Sequence, residues 1–255
     1  MSELVDFVEA PGRFMEPTEG VLVVKTPRFA VVAGADGVWG SIQGVRLRDG
    51  EAPHAVAEVR ALLGSGGVRV VSWWLSELST PEAVEKELLD AGLQVVADDY
   101  LLDGLLATGP PPSGPPDVEA RLATSAEEWV AIRELQEGIF DNPPERRPTR
   151  EQLLAEFRKS RAVLFGAWFD GELVGAAGAT PSSRGLLLWG GSVHAAARGR
   201  GCYRALVRAR WDEALRRGTP ALTVAANDKS SPVLRKLGFE KVLELRRLED
   251  VLSVA

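Results

Sequence analysis

The sequence predicts an α/β protein of two domains, and three observations carry that prediction. Helical and strand-like segments alternate along most of its 255 residues. One run, GPPPSGPP at 109–116, consists only of Pro, Gly and Ser, and it can form neither a helix nor a sheet ladder. The order of elements after this run is partly repeated before it. We therefore predict domains at 1–108 and 117–255, joined by an extended linker at 109–116.

The C-terminal part predicts the order α-α-β-β-β-α-β-α-β. Capping boxes begin the first two helices, and an Asp-Gly pair between two apolar runs is a strong hairpin signal. These signals are Ser125 with Glu128, Thr149 with Gln152, and Asp170-Gly171. Apolar residues at helical spacing then lead to a glycine that ends the next helix, at 218. Alternating apolar residues in EKVLELRRLEDVL, at 240–252, predict a closing strand.

The N-terminal part repeats the second half of this order. A helix, a strand, a second helix and a final strand are predicted over 55–106, and the second helix is expected to have a Ser/Thr cap with Pro81 in its first turn. Its frame, STP…LLDAGL, parallels SSP…LRKLGF in the C-terminal part. The two parts are therefore predicted to be divergent copies of one fold, the N-terminal one being smaller.

Composition excludes several classes of function. The net charge of −6 disfavours non-specific nucleic-acid binding. One cysteine, Cys202, and two distant histidines, His54 and His194, leave no disulfide framework and predict no metal site. The acidic N-terminal segment does not resemble a signal peptide, and no apolar run is long enough to span a membrane. We expect a cytoplasmic protein that binds neither membranes nor nucleic acid.

The segment RGRGCYRAL, at 198–206, predicts an anion site. It links a strand to a helix, and the uncapped N–H groups at a helix N-terminus attract anions. Gly199 and Gly201 permit close approach of the backbone, and Arg198 and Arg200 add positive charge. This combination suits a phosphate or pyrophosphate. The alternative is a basic surface turn without a ligand.

Two motifs resemble the GCN5-related N-acetyltransferase (GNAT) superfamily. Arg198-x-x-Gly201 is similar to the loop that binds the pyrophosphate of acyl-CoA, and VAANDKSSPVLRKLGFE is similar to the family's fifth strand and fourth helix. The resemblance covers most of 117–250. It implies a GNAT fold, with a mixed, mostly antiparallel sheet flanked by helices. It also implies transfer of an acetyl group from acetyl-CoA, the co-substrate, to a primary amine of a small molecule or peptide.

The resemblance also implies where acyl-CoA binds. Gly190 and Gly191 predict a bulge at which two strands separate, and the backbone N–H near Val193 would polarise the thioester carbonyl. The expected cofactor contacts are Ser192, Val193, Arg198, Gly199, Arg200, Gly201, Cys202, Tyr203, Asn227 and Ser230.

Three departures from the family pattern concern the loop and its chemistry. Tyr203 occupies a position where the loop pattern has a small residue, and Leu234 stands where many members have the tyrosine that protonates the leaving thiolate. In many family members the strand before the loop carries a Glu that acts as the general base. Here the only ionisable residue of the corresponding segment is His194. Weak catalytic candidates are His194, Ser231 and Asn227. Ser230 and Ser231 are alternatively the N-cap of the following helix.

Two carboxylates and the N-terminal copy remain to be assigned. Asp141 and Glu145 either hold the ammonium of an acceptor or are solvated loop charges. The N-terminal copy has LRDGEAPH, at 47–54, in place of the Arg-x-x-Gly loop, so we expect it to bind no acyl-CoA. It would serve as a lid, an acceptor-site wall or the surface of a homodimer.

Two rival functions are a non-catalytic acyl-CoA sensor and a transferase that uses another acyl donor.

Overall fold

The computed structural model describes residues 3–34, 39–64, 66–96, 99–142 and 147–252. The chain divides into two compact units. Unit 1 extends to Leu106 and adds 225–233 and the residues from Lys241 onward, and unit 2 comprises 107–224 and 234–240. No helix within the described ranges is both long enough and apolar enough to cross a bilayer.

The helices and strands are numbered in chain order. The helices are α1 (Glu3–Glu9), α2 (Ala52–Gly64), α3 (Val84–Asp90), α4 (Ala126–Ile139), α5 (Arg150–Lys159), α6 (Cys202–Arg216) and α7 (Ser231–Lys236). The strands are β1 (Val21–Lys25), β2 (Ala30–Gly34), β3 (Trp39–Gln43), β4 (Val70–Ser76), β5 (Gln94–Val95), β6 (Leu101–Ala107), β7 (Val118–Leu122), β8 (Val163–Phe169), β9 (Glu172–Pro181), β10 (Leu186–Val193), β11 (Leu222–Ala226) and β12 (Glu240–Val251).

Unit 1 is built on strands in the order β1-β2-β3-β4-β12-β6. Strands β1, β2 and β3 are antiparallel, whereas β3 and β4 are parallel and are connected through α2. The pairing of β3 with β4 covers four consecutive positions, from Trp39 opposite Val70 to Ile42 opposite Trp73. Trp73 is fully buried in a core that includes Val56 of α2. This core fixes α2 against the sheet.

The two units do not follow the domain boundaries expected from the sequence. Strand β12 pairs with β4 over seven positions, from Leu245 opposite Ser76 to Val251 opposite Val70, so the end of the chain belongs to unit 1. Its apolar alternation identified a strand but could not identify the partner, because register depends on the sheet that the strand joins. The predicted final strand of the N-terminal part is likewise two strands, β5 and β6.

The predicted linker packs against unit 2. A Cβ on Gly114 would lie 2.6 Å from the Cβ of Ala205 in α6, and Pro115 packs in the same way against Gly201. Nη1 of Arg208 donates to the carbonyl of Pro111 at 3.2 Å. The segment lacks helix and strand, as its composition predicts, but it lies along α6 and does not act as a free spacer.

Unit 2 is built on strands in the order β7-β8-β9-β10-β11. The pairs from β7 to β10 are antiparallel, and β10 and β11 are parallel with α6 between them in the chain. Asp170 and Gly171 have φ values of 51° and 79°, the conformation of a type I′ hairpin turn, so the predicted hairpin is confirmed. Strand β7 is an addition to the predicted order of elements.

The helix caps are partly as predicted. Thr149 and Gln152 form the full capping box of α5. Ser125 caps α4, but the Glu128 carboxylate accepts the N–H of Thr124 instead of completing the box. The predicted Ser/Thr cap of the second N-terminal helix is wrong, because α3 begins at Val84 after an alanine. The Ser79 hydroxyl in that segment accepts the N–H of Ser76 instead.

Candidate functional site

Strand β10 has an open edge along most of its length. Within the described part of unit 2 its pairing with β11 is limited to Leu186 opposite Leu222 and Leu187 opposite Thr223. The strand continues for six more residues, to Val193. Four of these residues pair with β9 on their other side: Leu188, Trp189, Ser192 and Val193. The two parallel strands therefore separate after two positions, as the glycines in β10 predict.

A bulge at Gly190 and Gly191 shapes this open edge. The register with β9 shifts between Trp189 and Ser192, and Gly190 has a φ of 59°. Nε2 of Gln136, a buried residue of α4, donates to the carbonyl of Gly190 at 2.6 Å. A Cβ on Gly190 would lie 2.2 Å from that nitrogen, so only glycine fits. The bulge is therefore held in place by a hydrogen bond from α4.

The backbone of Val193 points toward the open edge. The next residue, His194, donates its N–H to the carbonyl of Val174 in β9 at 2.8 Å. Successive backbone groups of a strand point to opposite sides, so the N–H of Val193 points away from β9. Its carbonyl accepts a hydrogen bond from Nε of Arg198 at 3.3 Å. An N–H donor thus lies at the end of the open edge, where the sequence predicts it.

The loop that follows β10 leads into a helix N-terminus without a side-chain cap. Gly199 and Gly201 each have a φ of 78°, in the left-handed region that favours glycine. Gly201 is the N-cap of α6, and the first turn of α6 has no acidic residue. The first-turn N–H groups of α6 therefore present partial positive charge that no carboxylate of this turn neutralises.

Two arginines flank this helix N-terminus. The guanidinium of Arg198 folds back toward the last carbonyl of β10, and that of Arg200 lies over the ring of Phe169, 4.7 Å from its centroid. Both residues are exposed, so both charges face solvent. Backbone N–H groups at a helix start, together with arginines, form the recurring site for a phosphate group.

Tyr203 lies below the bulge. A Cβ on Gly191 would lie 2.9 Å from Cε2 of Tyr203 and 3.5 Å from its hydroxyl oxygen. The aromatic ring therefore occupies the space beside a glycine of β10. The large residue at this position is compatible with the predicted loop.

Arg210 lies on the same face of α6, two turns after Tyr203. It is only 1% exposed, and burial lowers the pKa of its guanidinium, while the neighbouring Tyr203 opposes that effect. Its Nε donates to the carbonyl of Leu206 at 3.1 Å, but Nη2 has no hydrogen-bond partner among the described residues. A Cβ on Gly191 would lie 3.6 Å from this Nη2.

Asn227, Ser230 and Ser231 belong to the segment of unit 1 that begins α7. Oδ1 of Asn227 accepts the N–H groups of Lys229 and Ser230, at 3.2 and 3.1 Å, and the Ser230 hydroxyl at 3.0 Å. These bonds close the turn that precedes α7, and Ser230 contributes both its N–H and its hydroxyl to them. The buried hydroxyl of Ser231 donates to Asp103 at 2.5 Å. Any further contact of these three residues with a ligand stays a prediction.

The remaining candidates differ in exposure. The side chain of His194 is exposed, and Cys202 is a buried thiol whose pKa is raised by burial. Cys202 can therefore contribute its backbone N–H to the loop, but its side chain points inward. The buried hydroxyl of Ser192 has no partner among the described residues. Asp141 is exposed and follows α4 with a φ of 52°, whereas Glu145 lies outside the described residues.

The comparisons with known proteins agree with this geometry. Residues 129–239 match the family model described as the acetyltransferase (GNAT) family. This region of the chain is similar to the GNAT acetyltransferases. This match spans α4 through α7 and includes the bulge, the open edge and the glycine–arginine loop. No match was found among curated proteins.

Solved structures resemble the chain over nearly its whole length. A GCN5-related N-acetyltransferase from Kribbella flavida has a TM-score of 0.69 at 18% identity, covering 98% of this chain and 96% of its own. A tandem GNAT protein from the clavulanic acid biosynthesis pathway has a TM-score of 0.58 at 18% identity, covering 98% and 88%. A GCN5-related N-acetyltransferase from Sphaerobacter thermophilus has a TM-score of 0.59 at 17% identity, covering 88% and 80%. At these identities the likeness establishes the GNAT fold, and the matched region includes both the N-terminal and the C-terminal part of the chain.

Sequence reasoning missed two residues of this site, Gln136 and Arg210. Both occupy a position in an otherwise apolar helical stripe. Gln136 follows Trp129 and Ile132 at spacings of seven and four, and Arg210 follows Tyr203 at a spacing of seven. A polar residue in such a stripe signals a buried hydrogen bond or a ligand contact. For metals, no cluster of three or more potential ligands occurs in the part of the chain that the structure describes.

Proposed function

We propose that the protein is an acyl-CoA-dependent N-acyltransferase whose donor site lies in unit 2. The observation that carries the proposal is the coincidence of three features on one parallel crossover. These are the open edge of β10, the bulge at Gly190–Gly191, and the uncapped, arginine-flanked start of α6. Each feature has a separate physical use in holding a thioester of coenzyme A.

The pyrophosphate would bind at the start of α6. The backbone N–H groups of the first turn would donate to its oxygens, and Arg198 and Arg200 would add charge. The pantetheine arm, which carries amides, would extend along the open edge of β10, where unpaired backbone groups accept and donate hydrogen bonds. The thioester would then lie between the loop and the bulge.

The transfer would be a direct attack by the acceptor amine. The nitrogen lone pair attacks the thioester carbonyl carbon, a C–N bond forms, the C–S bond breaks, and coenzyme A leaves as a thiolate. The N–H of Val193 would stabilise the oxygen that gains charge in the transition state. The amine proton passes to solvent or to a base, and the candidate base is the exposed His194, which directly follows β10. The acceptor is a primary amine of a small molecule or peptide.

A second candidate function, a non-catalytic acyl-CoA sensor, is favoured by one observation. Leu234, which occupies the position of the family's usual tyrosine acid, is a buried apolar residue. Release of free thiol from acetyl-CoA in the presence of a panel of amines separates the two functions. Turnover with any amine supports the transferase, and tight binding without turnover across the panel supports the sensor.

The donor site is tested at Gly199 with a matched pair of variants. Gly199 has no heavy atom within 4 Å of an added Cβ, and Asp and Asn both tolerate its positive φ. Gly199→Asp places a carboxylate beside the loop, and Gly199→Asn has the same shape without the charge. We expect Asp to weaken acetyl-CoA binding at least about tenfold relative to Asn, by calorimetry. Equal affinities of the two variants would contradict the assignment of the loop.

A further inference from the structure

The buried guanidinium of Arg210 needs an explanation that the proposed function does not give. A charged side chain that leaves water loses several kcal/mol of hydration unless an opposite charge or hydrogen bonds replace it. The described residues supply no carboxylate for Arg210 and leave its Nη2 without an acceptor. Among the described residues, its polar partners are the carbonyl of Leu206 and the phenol of Tyr203. The site therefore has a cation that lacks an anion.

The unpartnered nitrogen is adjacent to the bulge of β10. Nη2 lies 3.6 Å from the position of an added Cβ on Gly191, and the Tyr203 hydroxyl lies 3.5 Å from the same position. The ring of Tyr203 takes up the space beside Gly191, with Cε2 2.9 Å from the same position. A guanidinium N–H and a phenol O–H thus lie beside the same glycine. Two donors at one point, one of them charged, are the complement of a carboxylate.

The direction of the chain indicates which part of the ligand reaches this point. The loop at 198–201 follows the C-terminal end of β10, so a ligand whose pyrophosphate binds there extends back along the strand. Its thioester meets Val193 first, and its acyl group meets Gly191 next. Two residues of strand span about 6.6 Å. An acyl chain of four carbons that ends in a carboxylate, together with one charge-assisted hydrogen bond of about 2.8 Å, covers that span.

We propose that Arg210, assisted by Tyr203, is a specificity-determining residue that binds a carboxylate at the end of the donor's acyl group. The preferred donor would then be the coenzyme A thioester of a short dicarboxylic acid, and acetyl-CoA would be a poorer one. This inference rests on the proposed function, because it assumes that acyl-CoA occupies the loop and the open edge.

The test measures binding of acetyl-CoA, succinyl-CoA and free coenzyme A by calorimetry, without an acceptor. We expect the wild type to bind succinyl-CoA at least about tenfold more tightly than acetyl-CoA, as one charged hydrogen-bonded contact provides. Arg210→Met, which keeps the length and removes the charge, abolishes that preference and retains acetyl-CoA binding. Arg208→Met is the matched control, because Arg208 lies on the same helix and pairs with Asp212. This variant should keep the wild-type ratio of the affinities for succinyl-CoA and acetyl-CoA.

The outcomes separate the inference from the proposed function. Equal affinity of the wild type for acetyl-CoA and succinyl-CoA overturns the role of Arg210 and leaves the donor site intact, and this result does not depend on any variant folding. If the wild type binds none of the three ligands, both the role of Arg210 and the proposed donor site are overturned. A carboxylate could also reach Arg210 from an acceptor amino acid. An effect of Arg210→Met confined to amino acid binding in the presence of acetyl-CoA would overturn the assignment to the acyl group.

Discussion

The parallel crossovers β3–α2–β4 of unit 1 and β10–α6–β11 of unit 2 have the same order of elements, and they differ at two places. Strands β3 and β4 stay paired over four positions of the five-residue β3, whereas β10 and β11 pair at two positions of the eight-residue β10. The first crossover is closed, and the second has an open strand edge that a ligand backbone can occupy.

The second difference lies at the helix starts. In unit 1, carboxylates of the unit accept the loop N–H groups. Glu51 accepts the N–H of Arg48 at 2.9 Å, and Glu87 accepts the N–H of Gly50 at 3.0 Å. In unit 2, arginines flank the start of α6, whose first turn, like that of α2, has no acidic residue. The protein's own carboxylates thus take the place where unit 2 would bind a phosphate. This supports the expectation that the N-terminal copy binds no acyl-CoA.

The largest expected effect compares one glycine from each loop. Gly201 and Gly50 have φ values of 78° and 72°, but an added Cβ would lie 2.6 Å from Pro115 at Gly201 and would contact nothing within 4 Å at Gly50. Gly201→Ala should lower the free energy of unfolding by roughly 2–4 kcal/mol, from strain plus overlap, and Gly50→Ala by about 1 kcal/mol, from strain alone. Urea unfolding of both variants measures the difference. Equal losses of unfolding free energy in the two variants would show that the proline-rich segment at 109–116 does not pack on α6.

A second effect compares the two loops in the intact protein. Acetyl-CoA at a free concentration of 100 times Kd stabilises the bound state by about 2.7 kcal/mol, or 100-fold. Amide hydrogen exchange of the loop at 199–204 and of the open edge at 188–193 should therefore slow by up to that factor. The loop at 48–52 should exchange at an unchanged rate. Equal slowing in both loops would contradict the assignment of the donor to unit 2 alone.

The smallest effect concerns the carboxylate of Glu51 in unit 1. The hydrogen bond from the Arg48 N–H, followed by contacts with Arg28, holds the pKa of Glu51 below its ordinary value of 4.5. Because the folded pKa is lowered, the stabilisation is complete above pH 4.5 and is lost as the pH falls through the folded value. The melting temperature of Glu51→Gln should therefore lie slightly below that of the wild type at pH 7 and approach it on acidification.

The Glu51→Gln variant also decides which difference between the crossovers matters. Removal of this charge, alone or with Glu87→Gln, should not create acetyl-CoA binding in unit 1, because β3 and β4 remain paired. A second acetyl-CoA equivalent bound by the double variant, counted by calorimetry, would show that the carboxylates alone had kept the ligand out.

Several features of the fold depend only on local chemistry and can be predicted from the sequence. The hairpin at Asp170-Gly171, the cap at Thr149, the glycine-containing loop before α6 and the bulge in β10 all follow from residues close together in the chain. Their conformations are set by φ preferences and short-range hydrogen bonds, so a local pattern is sufficient to predict them.

The tertiary structure alone decided which distant segments meet. It assigned β12 to unit 1, packed the proline-rich segment on α6, and brought Arg210 and Tyr203 to Gly191. It also showed that Asn227 closes the turn before α7. Strand pairing and burial depend on which surfaces are available in the folded chain, and no local pattern carries that information. For the same reason a buried arginine without a carboxylate became visible only in three dimensions.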